Sequence, residues 1–226
     1  MLLKGLDYHN LYDEKAVTED FSQAKLLDLL LNDNIYPIKR KKMLIKKNEL
    51  NYLIENDDEL VFALETGVAA VYNMNIIIDF VGPEEFIGLH ENSLSGVNDT
   101  FFQSISNDMQ VWKFSKSDVL GKVISTQEGY LYHYNYLKSI LNRYLKKIIS
   151  QNLTNATKTL QLIQFLTNRF GEELGEDIAI PKIFTRRVMA NYLGISQTTL
   201  STILAELQER KIIRIKGNHI LLKNRF

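Results

Sequence analysis

From Ala190 to Leu207 the chain reads "ANYLGISQTTLSTILAEL". One helix-like stretch stops at Gly194 and a second starts after Ser196. Glycine takes the left-handed backbone that a tight turn between helices demands, and serine is a preferred N-cap. Thr185 holds the same capping place ahead of "RRVMANYL". Two helices that cross closely need a small residue inside the first, a glycine in the turn and apolar side chains at fixed points. Ala190 and Gly194 meet the first two demands; Met189, Leu193, Ile195, Leu200 and Ile203 meet the third. Each match alone is weak. Together they specify a helix-turn-helix.

The chain continues "LQERKIIRIKGNHILLK". The strand-like runs "IIRI" and "HILL" flank Lys216-Gly217-Asn218, the chemistry of a hairpin turn. A helix-turn-helix followed by a basic hairpin predicts a winged helix. Its second helix would enter the major groove, and the hairpin would bring Lys216 to phosphates. Charge points the same way. The formal net charge of the 226 residues is zero, yet from Lys182 onward nine basic residues face only Glu206 and Glu209. That segment carries +7 and the first 181 residues −7. A basic segment on an acidic body suits a polyanion partner, here double-stranded DNA, although a solvated charged face would give the same count.

Upstream, residues 18–33 predict an amphipathic helix capped by Thr18, with Leu26, Leu27, Leu30 and Leu31 on one side. From Ile35 to Phe114 the texture becomes short apolar runs, such as "LVFAL", "IIIDFVG" and "VWKF", separated by turns such as "ENDDE", "GPEE" and "NSLSGVND". That spacing predicts an antiparallel sandwich or barrel. Val61 and Ala63 alternate there against Phe62 and Leu64. Residues 116–154 turn helical. Tyr130, Tyr134, Leu137, Leu141, Tyr144 and Ile148 follow the alternating four-and-three spacing of a coiled-coil seam, with Leu131, Ile140, Leu145 and Ile149 as a second stripe. Two stripes fit a helix that packs on its own domain and on a second copy. A core helix without a partner is the alternative. A further helix, "KTLQLIQFLTNRFGEE", is stopped by "GEELGED" and Pro181, with Leu160, Ile163, Leu166 and Phe170 at helical spacing.

Composition excludes several classes. With 45% apolar and 24% charged residues, the chain reads as a soluble globular protein. No window approaches the roughly 18 uninterrupted apolar residues of a membrane span. "MLLKGLDYHNLYDEK" turns acidic too early for a signal peptide, so a cytoplasmic location is expected. There is no cysteine, which removes disulfides, thiol catalysis and cysteine-held iron–sulfur clusters. His9, His90, His133 and His219 are too scattered for a metal set. No serine–histidine–acid spacing appears, and Asp57-Asp58 reads as a turn. Neither an enzyme nor a metal site is expected.

The order of sheet domain, long helix and "FTRRVMANYLGISQTTLSTILAELQERKIIRIKGNHILL" resembles the cyclic-AMP-receptor/FNR family of transcription regulators over nearly the whole chain. "GPEEFIGLHENS" resembles the glycine-bounded "G-E-F-[FI]-G-E" stretch of that family's β-roll. The tyrosine-rich helix is most similar to the PrfA-like branch. The resemblance implies an α+β chain: an antiparallel, cyclic-nucleotide-binding-like β-roll (1–115), a helical linker with the long dimerisation helix (116–154) and a winged helix-turn-helix (155–226). It also implies a homodimer on a two-fold symmetric site that recruits or blocks RNA polymerase.

The pattern departs where nucleotide would bind. Leu89 follows the glycine where the family has glutamate, and "NDTFFQSI" supplies Phe101, Phe102 and Gln103 but no arginine for a phosphate. A buried phosphate without its cation is costly, so no cyclic AMP dependence is expected. Phe86, Phe101 and Phe102 are expected in the roll's core. His90 reads as a core or surface histidine rather than a haem ligand. The PrfA-like resemblance raises glutathione or a peptide against Tyr130, Tyr132, Tyr134 and Tyr136. The chain would then be a sensor acting through protein contacts, and a regulator with no effector is a third option. The positions that face bases in the family hold Gln197, Thr198 and Thr202, where the cyclic-AMP-receptor members carry Arg, Glu and Arg. Glutamine bonds adenine bidentately and threonine methyls meet the thymine methyl, which implies an A·T-leaning operator. Lys182, Arg186, Arg187, Ser196 and Lys216 are the expected phosphate contacts.

Overall fold

The computed structural model describes residues 18–90, 100–217 and 219–223. The expectations for the N-terminal "MLLKGLDYHNLYDEK", His9, the "NSLSGVND" turn and Asn218 lie outside these residues. The chain divides into two compact units: residues 1–71 with 81–143, and residues 72–80 with 144–226. The division falls inside the long helix, between Arg143 and Tyr144.

The first unit opens with α1 (Gln23–Leu31), whose Leu26 and Leu30 are fully buried. Its cap is Ser22, not Thr18: the Ser22 hydroxyl accepts from Lys25 N at 3.3 Å, and residues 18–20 form a separate helical turn. Buried Lys122 closes the other end of α1, donating to the carbonyls of Leu30 at 3.2 Å and Asn32 at 2.6 Å. A cation there meets the helix's unsatisfied carbonyls and the negative end of its dipole.

Strands β1 (Arg40–Lys46), β9 (Asp108–Ser115), β4 (Asp58–Thr66) and β3 (Ile54–Glu55) lie in that order in one antiparallel sheet, with β7 (Phe86–Ile87) paired to β4. The second sheet runs β2 (Leu50–Tyr52), β8 (Thr100–Ser104), β5 (Ala69–Asn73), β6 (Ile76–Val81). Val61, Phe62, Ala63 and Leu64 are all buried, so the alternation expected along β4 gives way to a strand covered on both faces. Gly88, at φ +87°, lets β7 pass the β4 backbone: a Cβ there would stand 2.3 Å from the Leu60 carbonyl oxygen. Phe86 and Phe102 join the core as expected, while Phe101 stays half-buried with its ring 6.0 Å from Tyr52.

Two helices follow, α2 (Lys116–Ser125) and α3 (Tyr130–Ser150). Leu131, Tyr136 and Ile140 are the buried residues of α3. The seam lies on its open side: Leu141 is 58% and Ile148 63% exposed, and Tyr130, Tyr134 and Leu137 are exposed too. Tyr144 is half-buried, and Leu145 and Ile149 of the second stripe are exposed.

The second unit adds α4 (Asn155–Phe170), α5 (Arg186–Leu193) and α6 (Gln197–Glu209). Its four-stranded sheet has the order β10 (Glu172–Leu174), β11 (Asp177–Ala179), β13 (His219–Lys223), β12 (Ile213–Lys216). The β10–β11 hairpin corrects the reading of "GEELGED" as a plain helix stop. Among the described residues no helix is long and apolar enough to cross a membrane.

Candidate nucleic-acid interface

The helix-turn-helix is built as its caps and turn dictate. The Thr185 hydroxyl accepts from Val188 N at 3.3 Å and starts α5; the Ser196 hydroxyl accepts from Thr199 N at 3.0 Å and starts α6. Between them Gly194 sits in the left-handed region at φ 68°, ψ 35°, a conformation a side chain would strain. Met189, Ala190, Leu193, Leu200 and Ile203 are buried, and Ile195 is half-buried. Ala190 is the small residue where the two helices meet.

With those side chains turned inward, Gln197, Thr198 and Thr202 stand exposed at the start of α6. The Thr202 hydroxyl donates to the Thr198 carbonyl at 3.3 Å. Lys182, Arg186, Arg187 and Lys216 are exposed as well. Arg186 donates to the Ser201 hydroxyl at 3.3 Å, which holds its guanidinium beside α6. The Ser196 side chain is occupied twice, by Thr199 N and by the Thr199 hydroxyl at 2.8 Å. What it offers an anion is chiefly the positive end of the helix it caps. The wing forms as read: β12 pairs β13 from Ile213↔Leu222 to Lys216↔His219, and Gly217 turns at φ 60°. Arg214, two residues before Lys216, is spoken for by an ion pair with buried Asp177.

The first unit holds its own polar cluster. Arg143 donates to Glu85 Oε1 at 2.7 Å, and Gly82 N donates to Glu85 Oε2 at 2.8 Å. His90 Nδ1 lies 3.1 Å from the Tyr136 hydroxyl, and His133 Nε2 is 3.2 Å from the Leu89 carbonyl. Lys116 donates to the His90 carbonyl at 3.2 Å and pairs with Glu59 at 2.6 Å. Burial pushes the His90 imidazole down to about 4, helped by the Lys116 and Arg143 charges. Leu89 is buried beside this cluster's backbone contact to His133. Of the four tyrosines, Tyr136 is buried, Tyr132 sets its ring edge-on to Phe21 at 5.1 Å, and Tyr130 and Tyr134 face outward. No local pattern in the sequence marks Arg143, Glu85 or Lys116 as members of this cluster, and His133 was legible only as one of four scattered histidines. The one signal was a charged residue interrupting an apolar stripe in "ILNRYL". Among the described residues no group of three or more His, Asp and Glu side chains could hold a metal.

Comparisons with known proteins agree with this geometry. Residues 160–225 match the model of the Crp-like helix-turn-helix domain. A comparison with curated proteins gives no match. Among solved structures, the chain is similar to a cyclic nucleotide-binding domain containing protein from Listeria monocytogenes EGD-e, with TM-score 0.70 and 18% identity over 92% of this chain and 98% of that one. It is also similar to FixK2 from Bradyrhizobium japonicum, with TM-score 0.69 and 19% identity over 83% of this chain and 94% of that one. A transcriptional regulator of the CRP family from Thermus thermophilus gives TM-score 0.63 and 15% identity over 80% and 92% of the two chains. Residues 160–225 therefore match a Crp-like helix-turn-helix domain, and the chain shares its fold with these solved structures.

Proposed function

We propose that the chain is a transcription regulator that binds double-stranded DNA as a homodimer, on a two-fold symmetric operator leaning to A·T, without dependence on cyclic AMP. The observation that carries the reading is the exposed Gln197, Thr198 and Thr202 on a capped α6, flanked by exposed Arg186, Arg187, Lys182 and Lys216. Phosphate contacts from the basic side chains give affinity and register, and the three polar side chains read base edges. The exposed seam of α3 supplies the dimer. Two copies lay such apolar stripes together because leaving a leucine or isoleucine in water forgoes about 1.5–3 kcal/mol. Leu89 and the arginine-free "TFFQS" strand support independence from cyclic AMP. Residues 1–115 serve as the sensor-type roll, 116–154 as the dimerisation segment and 155–226 as the reader. A cytoplasmic location, RNA polymerase as the downstream partner and membership of the PrfA-like branch belong to the same proposal.

A second reading makes the roll a sensor of a small molecule, such as glutathione or a peptide, that acts through protein contacts. It is favoured by the polar His90, Tyr136, Glu85 and Arg143 cluster. Replacing Gln197 and Thr198 together by alanine separates the two. Loss of site discrimination with dimer and fold intact supports the DNA reader. A wild-type protein without salt-sensitive, sequence-preferring DNA binding removes it.

A further inference from the structure

Strand β6 ends the order β2-β8-β5-β6, so its outer edge has no strand neighbour among the described residues. Backbone groups on such an edge must find other partners or water. Here side chains from three helices of the second unit take them. Asn191 of α5 accepts from Ile77 N at 2.7 Å through Oδ1 and donates to the Asn75 carbonyl at 2.8 Å through Nδ2. Lys147 of α3 donates to the Ile77 carbonyl, and Arg169 of α4 donates to the Phe80 carbonyl at 2.9 Å. Below them, buried Phe80 stacks on Tyr192 of α5 at 5.1 Å and meets Phe184 edge-on at 5.1 Å. The Lys147 ammonium lies 4.0 Å over the other partner of that stack, the Tyr192 ring. These contacts explain why residues 72–80 group with the helices 144–226 rather than with the rest of their sheet.

We propose that Asn191 is a positioning residue for DNA reading: its amide clasps the β5–β6 hairpin and thereby fixes α5, and with it α6, in the arrangement that docks on the operator. The choice of side chain is specific. One amide offers an acceptor to a backbone N–H and a donor to a carbonyl two residues earlier, as a neighbouring strand would. Aspartate lacks the donor, and alanine leaves buried Ile77 without its acceptor. Asparagine is a poor residue for a helix interior, so its place in α5 is not a matter of propensity. The clasp also leaves the reading face clear. Asn191 and Tyr192 are half-buried toward the hairpin, while Gln197, Thr198, Thr202, Arg186 and Arg187 are exposed. A hairpin that occluded the reader would cover those residues instead.

The role rests on the proposed DNA-reading function, but the clasp itself is testable without DNA. In Asn191→Ala the Ile77 amide should exchange hydrogen tenfold faster or more, while amides inside α5 and α6 keep their protection. Unchanged exchange at Ile77 overturns the clasp whatever the protein binds. For the role, the probe is a duplex recovered by selection from genomic fragments. Asn191→Ala and Asn191→Asp should each bind it about tenfold more weakly, with unchanged preference between the duplex and a version altered at one base of a half-site. By reciprocity, adding the duplex to wild-type protein should leave Ile77 protected or protect it further. Equal or tighter binding by the variants, or loss of Ile77 protection on adding duplex, overturns the role and makes the hairpin a brake. If wild type binds no duplex, the proposed function fails while the exchange result still decides the clasp.

Discussion

Two helices of this molecule leave a face in solvent, and the faces differ in kind. That of α6 is polar and small, with Gln197, Thr198 and Thr202; that of α3 is apolar, with Leu141, Leu145, Ile148 and Ile149. A polar face rests in water at little cost, so its exposure leaves it free for the reading role proposed above. A row of exposed leucines and isoleucines costs free energy while it stays open, which is why the proposed dimer closes there. In the proposed function one face would supply specificity and the other symmetry. A reader of inverted half-sites requires both.

The largest effect should come from breaking the apolar face. Placing charge there with Leu141→Glu and Ile148→Glu should convert a dimer to a monomer in light scattering. Operator affinity should fall about a hundredfold or more, because the second half-site loses its effective concentration. A dimer that survives both changes would make α3 a surface helix of another purpose.

The inner face of the same helix is the next test. His90 is held near 4 in the folded state by burial, against about 6.5 when unfolded. Between those values the unfolded chain binds the proton and the folded chain does not. Stability is therefore unaffected above pH 7 and falls as pH drops from about 6.5 towards 4. Urea unfolding should show up to about 2 kcal/mol less stability at pH 4.5 than at pH 7 from this group. His90→Gln, which can still meet the Tyr136 hydroxyl, should abolish that portion of the loss.

Smaller effects belong to the polar face. Gln197→Ala should cost about 1–2 kcal/mol of discrimination at one base of each half-site, read by competition between matched duplexes, with the dimer intact. Lys216→Ala should weaken all sequences alike and lower the slope of log affinity against log salt by about one. A change in sequence preference in Lys216→Ala would mean the wing reads bases.

What was legible in the sequence follows the range of the interactions. The helix-turn-helix is specified by neighbours three or four residues apart, two hydroxyl caps and one left-handed glycine, so it could be written down before any coordinates. The wing was legible as two strand-like runs around the turn chemistry of Lys216-Gly217-Asn218. An antiparallel sandwich or barrel follows from the spacing of the runs and a roll only from the family resemblance, and neither gives the register, because the pairs are distant: Val61 lies opposite Phe114. Burial on both faces of β4 also erased the alternation that would have shown its direction. The β10–β11 hairpin hid behind three-residue strands, one of them exposed throughout. Asn191, Lys147 and Arg143 share one reason for carrying no local signal. Each finds its partner dozens of residues away, and nothing adjacent announces it.

The central claim is that α6 reads DNA in a symmetric pair. Selection of bound duplexes from a random pool, followed by sequencing, tests it most directly. The account predicts inverted repeats with A·T-leaning half-sites whose centres lie about one helical turn apart, roughly 10–10.5 base pairs or a multiple of it. Recovery of unpaired single half-sites, or of no enriched sequence at all, would contradict it.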